Sequence, residues 1–509
     1  MLTHSRIYKA VQLATIFAML AAVLAACGTE TPTSTPVPAP AGATATTGTS
    51  NATGEATATT GTSNATGEAT ATTAAPAATD TTVAAPAPTN TAAVSAITTA
   101  VSNNPAITPQ PGISGKLTIW GWDAALSGLK VVDADFRQAY PNIDVEYVAR
   151  QPSETYQQIQ LAASAGIGFP DISLIEDSHL AQFVSLGILA DISDKVQPYV
   201  PQFNSYRWQQ AMADGKYYAM PWDSGPVAIF YRRDVFTKAG VDPDSIKTWD
   251  DYYQAAKTIK AKAGVPMWQQ AKAQNDGRLF EMLLWQQGLG YVDKDGNVIL
   301  DKDPQIQQIL EYIGKFWQED LAADTQPWTD AWYKEMADGS VATVPEAVWM
   351  GTFFKSFIAP DAAGKWGIFR LPAWQAGGSQ SANDGGSSLA IFEGSKQKDA
   401  AWAYVQFHLG LPAEQVEIYK QTDLFPGLQS TYSDPAFQEP DPYFGGQKAR
   451  AFFTDVAKDI PQAGVYSTDY QQMNSLLTPE IQKFALGQQS AKDALANAAG
   501  AIRDRTGRK

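Results

Sequence analysis

The chain reads as an α/β protein built on a parallel sheet with helices on its faces. Three observations point there. Short β-rich runs alternate with helical runs from Lys116 onward, the pattern of a parallel sheet with crossover helices. All fourteen tryptophans lie beyond Gly115, beginning at Trp120, so the apolar core belongs to that part of the chain. The stretch from Gly115 to Lys509 is roughly 400 residues, which suits two ordinary domains better than one.

The elements follow in order. Lys116–Trp120 alternates apolar and polar side chains and reads as a first strand. Residues 129–140 form a predicted helix closed by Pro141, and Ile143–Val148 is a second alternating strand. Residues 155–165 are helical, 170–175 a third strand, and 179–189 helical again. Residues 228–231 make another strand, and Thr248 starts a helix over 249–263. Further on, 389–392 is a strand, 398–409 a helix, and the alanine-rich run 491–505 closes the chain as a helix. Trp208, Trp249, Trp317 and Trp402 fall in helical patterns or at a helix start and read as core.

Upstream of Gly115 the composition differs. Arg6 and Lys9 precede an apolar run from Val11 to Leu24, and small residues lead to Cys27, the one cysteine in the chain. This is the pattern of a secretory signal, and the run is short for a bilayer span of about 20 residues. The order Leu24-Ala-Ala-Cys27 resembles the lipobox of bacterial lipoproteins. That resemblance implies a signal peptide over 1–26, a lipid on Cys27, and anchoring at the outer face of the cytoplasmic membrane. Residues 28–114 are rich in Ala, Thr, Pro, Gly and Ser, and the block Ala43–Glu55 recurs as Ala56–Glu68. So polar a repeat offers no apolar face to bury. Residues 27–114 therefore read as a disordered tether that holds the following domain on the order of 50 Å from its anchor. Asn51 and Asn64 match the N-glycosylation acceptor pattern, as by-products of the repeat.

Composition excludes several function classes. The net charge is −15 with no basic stripe, which argues against a nucleic-acid partner. A single cysteine permits no intrachain disulfide and no cysteine metal cluster. His179 and His408 are the histidines beyond the signal region, far apart, and there is no Gly-x-Ser-x-Gly, His-Glu-x-x-His or Walker pattern. No cofactor and no metal are expected. Asp293-Lys-Asp-Gly-Asn297 superficially looks like a calcium loop but lacks the later glutamate and reads as a β-turn. Carboxylate pairs are abundant, so a glycosidase needing two acids about 5–10 Å apart stays open as an alternative.

Several segments, taken in order, resemble the family 1 extracellular solute-binding proteins, the sugar-capturing components of ABC importers. They are Lys116–Asp123, Phe136–Val145 with its Tyr140-Pro141, Gly168-Phe-Pro-Asp-Ile172, Leu186–Asp191, Asp214–Pro221, Tyr231–Phe236, Ala239–Val241 and Lys247–Asp251. Arg232 stands where the family usually has Asn, and the later segment appears as Gly339–Val344 with Glu346–Trp349. The resemblance implies a two-lobed periplasmic-binding-protein-like fold of type II, with lobes discontinuous in sequence and joined by hinge strands. One lobe is expected to hold about 115–225 plus 380–430, the other about 230–370 plus 431–509, with the first crossover at 221–226.

A saccharide offers apolar C–H faces and a rim of hydroxyls. Its site wants aromatic faces and planar polar side chains, and open α/β sheets bind beyond the carboxyl ends of their strands. The residues just after strands are Trp122 and Asp123, Glu176 and Asp177, and Trp222 and Asp223. The resemblance adds Trp349 as a stacking tryptophan, Asp384 and Gly385 at a glycine-rich approach to ligand, and Tyr466 and Tyr470 as a late aromatic platform. It implies a non-catalytic, monomeric binding protein that passes a carbohydrate to an ABC permease. A polyamine or similar non-sugar solute, or a secreted carbohydrate-active enzyme, are the alternatives.

Overall fold

The computed structural model describes residues 110–461 and 466–509. The signal sequence, Cys27, nearly all of the tether and both glycosylation patterns lie outside the described residues. Among the described residues, eight strands build the two larger sheets: β1 (Gly115–Gly121), β2 (Ile143–Ala149), β3 (Ile172–Glu176), β4 (Met220–Pro221), β5 (Val227–Arg232), β6 (Thr343–Ala347), β7 (Trp366–Arg370) and β8 (Ser387–Ile391).

The first sheet has the order β2-β1-β3-β8-β4. Its strands β1, β2 and β3 run parallel, while β8 returns antiparallel to β3 and pairs with β4. The second sheet is β6-β5-β7, with β5 antiparallel to both neighbours. Every residue of β5 is buried, as a central strand covered on both faces requires.

Each sheet has its own core. Leu117, Ile119, Leu174, Trp222, Leu389 and Phe407 belong to the first. Val227, Trp249, Leu283, Ile313, Leu477 and Ile502 belong to a second, against one face of the second sheet. Phe230, Trp366, Phe354 and Phe453 form a third cluster with Val416, Tyr419 and Phe425. Trp208, Trp249, Trp317 and Trp402 are all buried, in line with their helical spacing. The helix expected over 129–140 is two helices, Asp123–Lys130 and Asp133–Ala139. The break at Val131-Val132 reorients the chain so that Leu126, Leu129 and Phe136 all reach the core. Thr248 caps Trp249–Ala263 through a reciprocal bond with Asp251.

Three segments cross between the sheets and are bonded to one another. Asp384 N donates to Gly225 O (2.8 Å), Val227 N to Ala382 O (3.0 Å) and Trp222 N to Ser387 O (3.0 Å). Ser224 N donates to Phe425 O and Gly427 N to Trp222 O, which brings in the third segment. A side chain at Gly225 would sit 2.0 Å from Asp384 O, so only glycine permits this approach. The expected calcium-like segment is a hairpin turn. Val292 bridges Val298, and the Asp293 carboxylate accepts from Asn297 N and Nδ2. Among the described residues no helix is long and apolar enough to cross a membrane.

Candidate functional site

The crossing segments bring the carboxyl end of β3, the end of β6 and the start of the helix Arg278–Gln286 to one place. Arg278 follows Gly277, whose φ of +77° turns the chain into that helix. Its guanidinium grips Asp384 with two bonds, Nε to Oδ1 (3.1 Å) and Nη2 to Oδ2 (2.7 Å). Nη2 also reaches Glu346 Oε1 at 3.4 Å. The flat face of the same guanidinium lies 4.8 Å from the Trp349 ring centre and 5.7 Å from that of Trp328. Cation–π attraction of this kind contributes about 0.5–2 kcal/mol. Trp349 Nε1 donates to Asp384 O at 3.2 Å, which fixes the indole.

Arg278, Trp328, Glu346 and Asp384 border an open cavity, which Gln269 and Asp276 also line. Its charges are unequal. Burial raises the Asp384 pKa, but Arg278 and the contact with Glu346 outweigh it and hold that carboxyl ionised. Burial, reinforced by the Asp384 charge, pushes Glu346 well above the ordinary carboxyl range. Arg278 opposes this rise. Glu176 is raised by burial against the donor bond from Tyr156 Oη (3.0 Å) and the attraction of Arg278. Its side chain is still 41% exposed; it opens onto a concave surface where protein crowds the carboxylate without covering it.

A second hollow is lined by Glu281, Trp285, Tyr291, Tyr466 and Tyr470. Tyr470 Oη donates to Glu281 Oε2 at 2.7 Å. Burial beneath the rings pushes Glu281 up to about 7. Tyr291 stacks on Tyr470 with centres 5.6 Å apart, and Tyr466 meets Tyr470 edge-on at 4.5 Å.

The residues singled out in the sequence divide into two groups. Asp384 lines the first hollow and Tyr470 the second; Trp349 bonds the Asp384 carbonyl, Gly385 adjoins that indole, and the Glu176 carboxyl feels the charges of Arg278 and Asp384. Gly385 has a φ of +79°, and a side chain there would stand 3.5 Å from Trp349 Nε1. Trp122 is half-buried and Asp123 exposed, at the start of the helix after β1.

Three assignments need correction. Trp222 is 1% exposed and packs in the first core, because its segment turns inward where the sheets cross. Asp177 is 2% exposed and paired with the fully buried Arg207, whose charge it neutralises. Asp223 accepts from Ser387 N (2.8 Å) and Ser387 Oγ (2.5 Å), so it pins the crossing strands to each other.

Sequence reasoning missed Arg278, Glu281 and Trp328, and took Glu346 only as part of a motif. The one available signal for Arg278 and Glu281 was the Asp276-Gly277 turn ahead of an apolar-periodic run.

Residues 124–413 match the family model for bacterial extracellular solute-binding proteins. The chain belongs to that family. It is 28% identical to a lactose-binding protein of Rhizobium radiobacter, over 74% of this chain and 90% of the relative. It is likewise 28% identical to an arabinooligosaccharide-binding protein of Bacillus subtilis, over 77% of this chain and 94% of the relative. Among solved structures, the transporter-associated binding protein of B. animalis subsp. lactis in complex with β-1,6-galactobiose has a TM-score of 0.66 at 29% identity. The match covers 77% of this chain and 97% of that one. A maltose-bound protein of T. maritima, 20% identical with a TM-score of 0.65, shares the fold. The two sheets joined by three crossing segments are the two-lobed type II arrangement of this family.

Proposed function

We propose that the protein captures a carbohydrate between its lobes and delivers it to the membrane permease of an ABC importer. The observation that carries this reading is the cavity at Arg278. There the Trp328 ring stands beside a planar guanidinium, itself stacked on Trp349, and two carboxyl groups of unlike acidity, Asp384 and Glu346. Aromatic faces match the C–H faces of a pyranose or furanose. The polar groups offer both donors and acceptors to its hydroxyls. The names of the relatives, binding proteins for lactose and arabinooligosaccharides, support the same class of ligand. On this reading closure of the lobes buries the sugar, no reaction takes place, and no cofactor is needed. A lipid on Cys27 and the polar segment after it tether a monomer outside the cytoplasmic membrane, within reach of its permease.

The test is a thermal-shift screen of the protein against mono- and oligosaccharides, with spermidine as the non-sugar control. A ligand at a hundred times its dissociation constant stabilises by about 2.7 kcal/mol. A shift with one glycan class, and the glycan recovered intact, is the expected result. A shift with spermidine alone overturns the carbohydrate reading, and glycan breakdown overturns the binding-only reading.

A further inference from the structure

A strip of aromatic rings leads out of the cavity. The Trp349 ring lies 6.1 Å from that of Trp328 at 26°, and Trp328 lies 6.3 Å from Phe353. Phe353 meets Phe357 at 5.2 Å, and Phe357 meets Tyr333 at 5.5 Å. Trp328 lines the cavity and Trp349 lies against its Arg278, while Phe353, Phe357 and Tyr333 lie outside it. Among the described residues six large hydrophobic side chains are exposed, and the two aromatic ones, Trp328 at 45% and Phe357 at 53%, both belong to this strip.

The backbone beneath it is unusual at two points. Trp328 has a φ of +64°, the left-handed region that a bulky side chain avoids. Phe354–Ile358 is a π-helical turn continuing the helix Met350–Phe353, and such turns occur mostly as single interruptions at functional sites. Phe354 and Ile358 are buried, whereas Phe353 and Phe357, four residues apart, lie on the side that meets the other rings. Trp349, Phe353 and Tyr333 pack on the core with one side, while Trp328 and Phe357 stay exposed. Backbone strain of this kind persists where surrounding structure over-determines it, and it gathers at ligand sites.

We infer that the strip is an outer extension of the binding site, which takes the sugar units of a longer glycan that project beyond the cavity. The inference rests on the carbohydrate reading above. Its occupant follows from continuity: Trp328 is at once a wall of the cavity and a member of the strip, so a chain held against Trp349 is led directly onto it. Exposed polar side chains accompany it in sequence: Ser356 next to Phe357, and Asp330 and Lys334 on the helix that carries Tyr333.

Calorimetric titration of the wild type and of Phe357→Ser, with arabino-oligosaccharides and β-galacto-oligosaccharides from disaccharide to hexasaccharide, tests this. The wild type should gain affinity with length, by about tenfold from the shortest ligand bound to the longest. In Phe357→Ser the ratio of long-chain to short-chain affinity should fall by about three- to tenfold, the worth of one aromatic contact. Trp328→Gly should also lose the length dependence. A cooperative melting transition retained in this variant, even at a lower temperature because the contacts of Trp328 with Trp332 and Trp349 are lost, separates loss of the platform from loss of the fold. An unchanged ratio in Phe357→Ser, or a wild-type affinity indifferent to length, refutes the extension while leaving the carbohydrate reading intact. Failure of every glycan to bind at any length refutes that reading and the extension with it.

Discussion

Glu281 should make the protein lose stability as pH rises through neutrality, and Glu281→Gln should abolish that loss. The carboxyl lies beneath Trp285, Tyr291, Tyr466 and Tyr470, with Tyr470 Oη donating to it. Burial, aided by the charges of Asp384 and Asp276 and opposed by Tyr470 and Arg278, lifts its pKa from 4.5 to about 7. The folded state therefore holds the proton where the unfolded chain has released it. Between pH 4.5 and about 7 the unfolded state binds fewer protons, so stability falls with rising pH and levels off above the folded pKa. One pKa unit corresponds to about 1.4 kcal/mol, so the plateau above about pH 7 lies about 3 kcal/mol lower. For a folded part of roughly 400 residues the unfolding entropy is about 0.8 kcal/mol/K, so 3 kcal/mol corresponds to about 4 °C. The glutamine amide keeps the shape and the acceptor for Tyr470 and carries no charge at any pH. The melting temperature of Glu281→Gln minus that of the wild type should accordingly grow by about 4 °C between about pH 4.5 and 8, followed by calorimetry at fixed ionic strength. The neighbouring carboxyls Glu176, Glu346 and Asp384 titrate in both proteins and cancel in the difference. Tyr291, Tyr466 and Tyr470 are all raised by burial and stay protonated throughout. A difference that is flat across this range refutes the buried, proton-holding Glu281.

Asp177→Ala should cost roughly 3–5 kcal/mol, because it breaks a buried ion pair and leaves the Arg207 charge to the Ser387 carbonyl and the more distant Asp223; an unchanged urea midpoint would refute that role for Asp177. Trp222→Ala and Trp349→Ala should separate cleanly. The first should lower stability by about 3–5 kcal/mol through the void it leaves while the folded fraction keeps its saccharide affinity. The second should weaken saccharide binding at least about tenfold with a small change in melting temperature. Titration and melting of both variants side by side check this, and the reverse pattern would move the stacking surface to Trp222.

What was legible in the sequence is what short-range physics dictates. β1, β2 and β3 appear in the alternation of Lys116–Trp120 and Ile143–Val148 and in the run 170–175. The helix after Thr248 appears in its capping residues. The break at Val131-Val132 was not legible, since nothing local forbids one continuous helix there; it depends on where the core stands relative to Leu129 and Phe136. The position of a residue after a strand proved a weaker guide than its neighbour along the chain. Glu176 and Asp177 are adjacent, yet one opens onto the cleft and the other is buried against Arg207, because consecutive side chains at a strand-to-helix junction point in different directions.

Arg278 shows most clearly why the site outran its sequence. By itself it is an unremarked basic residue at the start of a helix. Its role comes from Asp384, 106 positions away, Glu346, 68 positions away, and two indole rings from separate segments. The guanidinium also shapes the electrostatics of its surroundings: it draws the Asp384 pKa down and opposes the rise that burial imposes on Glu346. Because Asp384 lies in the segment bonded to Gly225 across the two sheets, the same ion pair ties the crossing strands to the helix Arg278–Gln286. On the proposed reading, a ligand that draws hydrogen bonds from Arg278 or Asp384 acts directly on the junction between the two sheets. That is the coupling a capture protein needs, since a ligand can shift a conformational equilibrium only through groups that differ between the two states.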